Sequence, residues 1–168
     1  MADMDTVFGF DAILEESVSQ VTATNSVELG TRALWKGEEY VYVHNAGTAQ
    51  ISPTYGVKLV TGASGYSVAV TALTNTAHPC VGVVKHATMA TATYGWVMNK
   101  GFTALEAVAD STITGNYLAI ALGVDGGFHE SVPLTDAVHK GTFAVVGWGL
   151  GADTASGGSF YGFIKTGF

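Results

Sequence analysis

Charge is scarce in this chain of 168 residues. Asp, Glu, Lys and Arg make up 12% of it, about half of the ~25% usual for a soluble domain. A coat so thin argues against a monomeric enzyme that must keep itself soluble, and for a chain that hides surface against other chains. Cysteine occurs once, at Cys80, which excludes an internal disulfide framework. Long apolar runs are missing too. The mean hydropathy is positive, yet no stretch reaches the ~18–20 uninterrupted apolar residues of a membrane helix, so no membrane partner is expected. The N-terminus has no basic region leading into an apolar core, and the chain is expected to be made and used without export. The seven Lys and Arg residues form no stripe, which leaves no footing for displacing counterions from nucleic-acid phosphate.

What charge there is falls unevenly. Asp3, Asp5, Asp11, Glu15, Glu16 and Glu28 lie in the first 28 residues, where there is no Lys or Arg, and the remainder is nearly neutral. The length fits one domain with an appended arm and suffices to bury a core without disulfide or metal. The composition divides it into an acidic N-terminal arm, residues 1–27, and a β-domain, residues 28–168. Within the arm a short helix over Asp11–Gln20 is expected, with Asp11 as N-cap and Glu15 and Glu16 near the positive end of its dipole. At under three turns it needs a docking surface. Phe8, Phe10, Ile13 and Leu14 stud the arm with the apolar residues that disordered segments normally lack, which marks them as candidates for burial against a neighbour.

From Glu28 onward the pattern is that of strands. Two stretches organise it: Glu28–Val43, where two β-prone runs flank a reversal at Lys36-Gly37-Glu38, a hairpin signature, and the aromatic-rich run Tyr94–Phe102. Between them lie turns at Asn45–Thr48 and Pro53–Gly56, a strand over Val57–Val60, a turn at Thr61–Gly65, an alternating strand over Tyr66–Leu73 and a strand over Cys80–Lys85. Thr103–Asp110 is read as strand despite a helix-friendly composition. Tyr117–Leu122 leads into a hairpin loop at Gly123–Gly127, and Phe143–Trp148 and Phe160–Lys165 complete the series. Strand-like runs every ~8–12 residues make the fold all-β, a compact β-barrel or β-sandwich of short antiparallel strands with an extended N-terminal arm.

Motifs for bond chemistry are missing, so no catalytic residue, metal site or cofactor is assigned. Gly62–Gly65 and Gly147–Gly151 lack the spacing of a dinucleotide fingerprint or P-loop and read as turns needing positive φ. Ser64 is not in a GxSxG elbow. Cys80 with His78 has no third group to orient the base. His44, His78, His86, His129 and His139 are scattered, short of the three or four convergent ligands of a zinc site, and Asp125 and Asp153 lack the EF-hand spacing. Glu38, Glu39 and Asp110 read as solvated hairpin and turn residues. Aromatics remain: Trp35, Tyr40, Tyr42, Tyr94, Trp96, Trp148, Phe160, Tyr161 and Phe163 sit in four strand-like runs. They suit a half-buried pleated surface; for Tyr42 and Trp96 core and interface both stay open, since Tyr and Trp also anchor interfaces. A sugar-binding surface would use the same residues.

Leu29-Gly30-Thr31 followed by Glu39-Tyr-Val-Tyr-Val43, then Val81-Gly-Val83, then Tyr94-Gly-Trp-Val97 leading to Gly101, resembles in order and spacing the capsid decoration proteins of tailed bacteriophages, also called cement or head-stabilising proteins. The resemblance covers Val27–Phe102. It implies a non-enzymatic virion structural protein, made in the host bacterial cytoplasm, which binds the outer surface of the assembled capsid and bridges major capsid protein subunits. It further implies a homotrimer. Capsid or subunit contacts are then expected at Phe8, Phe10, Ile13, Leu14, Tyr42 and Trp96. The alternative is a host- or carbohydrate-binding β-module of a virion or its tail.

Overall fold

A computed structural model of the chain describes residues 18–60, 66–69, 80–107, 118–122, 126–130, 145–149 and 158–166. Its eleven strands are β1 (Val21–Thr22), β2 (Arg32–Trp35), β3 (Glu38–Asn45), β4 (Gly56–Leu59), β5 (Ser67–Ala69), β6 (Cys80–Val83), β7 (Tyr94–Glu106), β8 (Leu118–Leu122), β9 (Phe128–Glu130), β10 (Val145–Gly149) and β11 (Ser159–Lys165). The fold is almost entirely β. The expected hairpin is β2–β3, closed by a two-residue turn in which Trp35 pairs with Glu38. Lys36 (φ 49°) and Gly37 (φ 81°) both take positive φ, the geometry whose twist matches that of the flanking strands.

Five strands close into a barrel. Around the ring β3 pairs with β5, β5 with β4, β4 with β6, β6 with β7, and β7 returns to β3. Closure removes sheet edges that would otherwise pair with other chains. Side-chain alternation along β3 decides what fills the ring. Val41 and Val43 join Val57, Val68, Val81 and Val97, with Ile51, Val84 and Met89, in one core cluster. Tyr40 and Tyr42, one residue out of phase, belong to a second cluster with Trp96, Met98, Cys80 and Val83. β-Branched valines, stiff at χ1, fit the narrow interior; the larger aromatics cover its outer wall.

β7 is the strand common to both halves of the molecule. Its first half pairs with β3, and its second half, from Lys100 to Glu106, pairs with β11. Consecutive residues Tyr40 and Glu39 of β3 face Met98 and Lys100 of β7, so Asn99 is an extra residue, a β-bulge. The bulge reverses the alternation: even-numbered Trp96 and Met98 lie in the second cluster before it, and odd-numbered Leu105 and Ala107 after it. Gly101, at φ 149°, follows at once; a Cβ there would press on Glu38 and Met98 side chains at 2.9 Å. Beyond the bulge the sheet continues β7–β11–β10–β8–β9 and curls back, since Ala107 bridges Phe128 at the start of β9. Phe128, Phe160, Ile164 and Leu105 of this half complete the second cluster.

Most expected strands fall within two or three residues of those observed, with four differences. The β3–β5 pairing is parallel, whereas the strands were expected to be antiparallel. β7 runs for 13 residues, because the bulge lets Tyr94–Lys100 and the helix-friendly run after it form one strand, described as far as Ala107. β1 was not anticipated, and β9 was implied only as the far side of the hairpin loop at Gly123–Gly127; both are short and borrow their definition from the partner strand. Gly147 and Gly149 lie in β10 rather than in a turn, and a Cβ on Gly147 would overlap the Phe163 carbonyl of β11. Of the helix expected over Asp11–Gln20, Val18 and Ser19 are helical, Gln20 is not, and residues 11–17 lie outside the described residues. The described end of the arm is sewn to the domain: Val18 is buried in the second cluster and β1 pairs with β7.

The turn after β3 is organised by one side chain. Asn45 is fully buried; its Nδ2 donates to the carbonyls of Ala49, Met89 and Ala90 at 3.0–3.1 Å, and its Oδ1 accepts from Gly47 N–H at 3.0 Å. Asn45→Ala would strand these groups away from water and is expected to cost roughly 2–4 kcal/mol, read as a lower midpoint in chemical unfolding. Asn45→Asp, which sets a carboxylate against three carbonyl oxygens, is expected to cost more. Equal midpoints for all three proteins would remove Asn45 from this role.

Candidate functional site

Aromatic side chains collect on the outer wall of the barrel where β3 crosses β7. Tyr42 and Trp96 are registered partners with ring centroids 5.1 Å apart; Tyr94 stacks on Tyr42 at 6.4 Å, and His44 on Tyr94 at 4.5 Å. The Tyr42 hydroxyl lies 3.3–3.4 Å from the hydroxyls of Ser26 and Thr22, which ties the strand to the incoming arm. Tyr42 is 3% exposed and Trp96 7%, so within one protomer both sit in the core. Phe8, Phe10, Ile13 and Leu14 lie outside the described residues.

Polar groups converge under the β2–β3 hairpin. The Tyr40 hydroxyl donates to Glu38 Oε2 at 2.6 Å and lies 3.0 Å from His86 Nε2, while Lys85 Nζ binds the other Glu38 oxygen. A phenol has one proton. With that proton donated to the Glu38 carboxylate in a hydrogen bond, the Tyr40 oxygen accepts from His86, which places the imidazole proton on Nε2. The ring of His86 is flanked by Trp35 (5.6 Å) and Tyr40 (5.8 Å), and Lys36 Nζ lies over the Trp35 ring at 4.4 Å from its centroid. Burial, with Glu38 beside it, raises the Tyr40 phenol above its ordinary range. Burial, then the Lys85 charge, lowers His86. Each group keeps the proton it holds near neutrality, and every described partner is internal. This is a brace between hairpin and loop rather than a nucleophile–base–orienter set. Tyr40 and His86 are 46 residues apart, and no spacing in the sequence links them. Glu38 and Glu39, expected as solvated, instead pair with Lys85 and Lys100.

The remaining candidates are as inert. Cys80 is buried, and burial pushes its thiol up to about 12, so it stays protonated and donates weakly to the Gly82 carbonyl at 3.7 Å. A thiol in that state is no nucleophile. No group of three or more His, Cys, Asp or Glu able to hold a metal occurs among the described residues. Ser64, His78, Asp110, Asp125, His139 and Asp153 lie outside them.

The large apolar side chains exposed among the described residues are Leu34 on β2, Phe102 on β7 and Tyr161 on β11. Phe102 and Tyr161, at 56% and 69%, share the outer face of one strand pair, where Phe102 meets Phe163 edge to face at 4.9 Å. The bulge at Asn99 turns Phe102 outward; without it Phe102 would follow Met98 into the core. The sequence flags Tyr161 and Phe163 as aromatic, but the facing of Phe102 depends on that bulge. No protein-family model and no curated protein matches this chain.

The folded protein holds His86 below the ~6.5 of an unfolded histidine, so between the two values the unfolded chain binds the extra proton. Stability is therefore expected to fall as pH drops below ~6.5. His86→Gln, which keeps a donor for Tyr40 and does not titrate, is expected to flatten that part of the profile. Thermal midpoints between pH 7 and 5 test this; parallel slopes for the two proteins would contradict it.

Proposed function

We propose that this chain is a non-enzymatic structural protein of a tailed-phage virion, which binds the outer surface of the assembled capsid as a homotrimer and bridges major capsid protein subunits. The observation that carries the reading is where its unspent surface lies: Phe102, Tyr161 and Leu34 stand exposed on strands of a closed, cross-braced scaffold, while the described convergent polar groups are already paired with one another. Among the described residues such a body offers contact area and no reaction centre. The thin charge and the order of motifs from Leu29 to Gly101 support the same reading. A contact made only with the assembled lattice stabilises that lattice by mass action, and many copies resist internal pressure without any one being strong. The arm, with Phe8, Phe10, Ile13 and Leu14, supplies the reach across a seam.

A second reading, a host- or carbohydrate-binding module of a virion or tail, draws on Tyr161, an open ring with Ser159 and Lys165 two and four residues away on the same strand. Binding to a glycan array without binding to heads would favour it.

Co-sedimentation with empty, expanded heads is expected to show saturable binding. Removing residues 1–17, which leaves the buried Val18 in place, is expected to keep the domain folded and weaken attachment by roughly tenfold or more, the scale of unburying one or two large apolar side chains. Full affinity after the deletion would move the interface to the β-domain. Absence of binding by the intact chain would overturn the capsid reading.

A further inference from the structure

The outer face of β7 and β11 joins exposed rings, fixed register and unmatched charge on one surface. Four registered rows cross it: Lys100 opposite Lys165, Phe102 opposite Phe163, Ala104 opposite Tyr161, and Glu106 opposite Ser159. Like charges set opposite one another across strands are destabilising. Lys100 is answered by Glu39, but no carboxylate among the described residues lies within ion-pair distance of Lys165. At the other end the Glu106 carboxylate accepts hydrogen bonds from the Ser159 and Thr54 hydroxyls at 3.0 and 3.4 Å and meets no described cation. The strip thus reads, in order, a positive charge, three aromatic rings and a negative charge, the two charges unmatched among the described residues.

We propose that this face is a two-fold contact between two copies of the chain. With the strips laid face to face and reversed, Lys165 of each copy meets Glu106 of the other, and Phe102, Tyr161 and Phe163 pack on their counterparts. A partner for this strip must present negative charge, apolar surface and positive charge in that order, and the strip itself does so when turned around. An isologous contact of this kind uses one patch twice. An acidic or basic surface of another protein would answer one end only. A three-fold, head-to-tail contact joins two different patches, so this contact would be separate from that of a trimer.

The described face is small. Seven registered pairs run for roughly 20 Å along a strand pair about 10 Å wide. That is well under the roughly 800 Å² per partner of a standard interface, so the free contact is weak. Copies held close on a common surface would meet at a high effective concentration. The contact does not depend on the capsid reading.

Sedimentation equilibrium of the free, full-length protein tests the proposal without any capsid. The expected result is a monomer–dimer equilibrium that Phe102→Ser with Tyr161→Ser abolishes while the thermal midpoint holds. Lys165→Glu or Glu106→Lys alone is expected to weaken dimerisation about tenfold, and the two together to restore it. The swap distinguishes a direct reversed contact from general loss of structure. A chain that stays monomeric at ~100 μM, a double swap as weak as either single change, or a trimer indifferent to all four substitutions would overturn it.

Discussion

One inserted residue governs this molecule. Asn99 breaks the alternation of β7, and a period-2 strand that gains one residue exchanges its two faces from that point on. Before the bulge, Val97 points into the barrel and Trp96 and Met98 cover its outside. After it, Leu105 joins the outer layer, and Phe102, Ala104 and Glu106 turn to the other face. A single strand can therefore close a five-membered ring with one half and found a second sheet with the other, while both feed the same second core. Gly101, placed where a side chain would press on Glu38 and Met98, keeps the crossing open.

The two cores differ in kind because their spaces do. The ring interior is narrow and is packed mainly with valine, which loses little χ1 freedom on burial. The layer outside is broad and takes Tyr40, Tyr42, Trp96, Phe128 and Phe160. Buried tyrosines need partners for their hydroxyls: Tyr40 finds Glu38 and His86, and Tyr42 lies within reach of Ser26 and Thr22. Those partners come from the hairpin, the loop after β6 and the end of the arm, so the outer aromatic layer pins peripheral segments to the barrel. The ion pairs of Lys85 and Lys100 add little by comparison, since partly exposed pairs contribute about 0–1 kcal/mol.

The same division separates contact from chemistry. Among the described residues, the groups that could take part in bond making are satisfied internally: Cys80 as a buried, protonated thiol, the half-buried His86 between two rings, and Tyr40 on a carboxylate. What faces solvent instead is aromatic surface on a rigid strand pair with a charge of each sign at its ends. Rigid strands lose little freedom on docking, which lowers the entropic cost that otherwise weakens small interfaces.

The sequence by itself determined the all-β class, the β2–β3 hairpin, the hairpin joining β8 to β9, and the positions of most strands. Local signals suffice for these: a Lys36-Gly37 pair able to take positive φ, the alternation after Tyr66, and glycine and proline at the breaks. It also marked Tyr42 and Trp96 as consequential aromatics without deciding between core and interface. Their burial in the protomer, the Tyr40–His86 hydrogen bond and the outward facing of Phe102 were decided by tertiary structure. Ring closure between β3 and β7 brings residues some fifty positions apart into register (Tyr42 opposite Trp96), and the bulge sets which face every later residue of β7 takes. Neither leaves a periodic trace, because pairing partners and register are properties of two strands together, and no single strand's pattern encodes them.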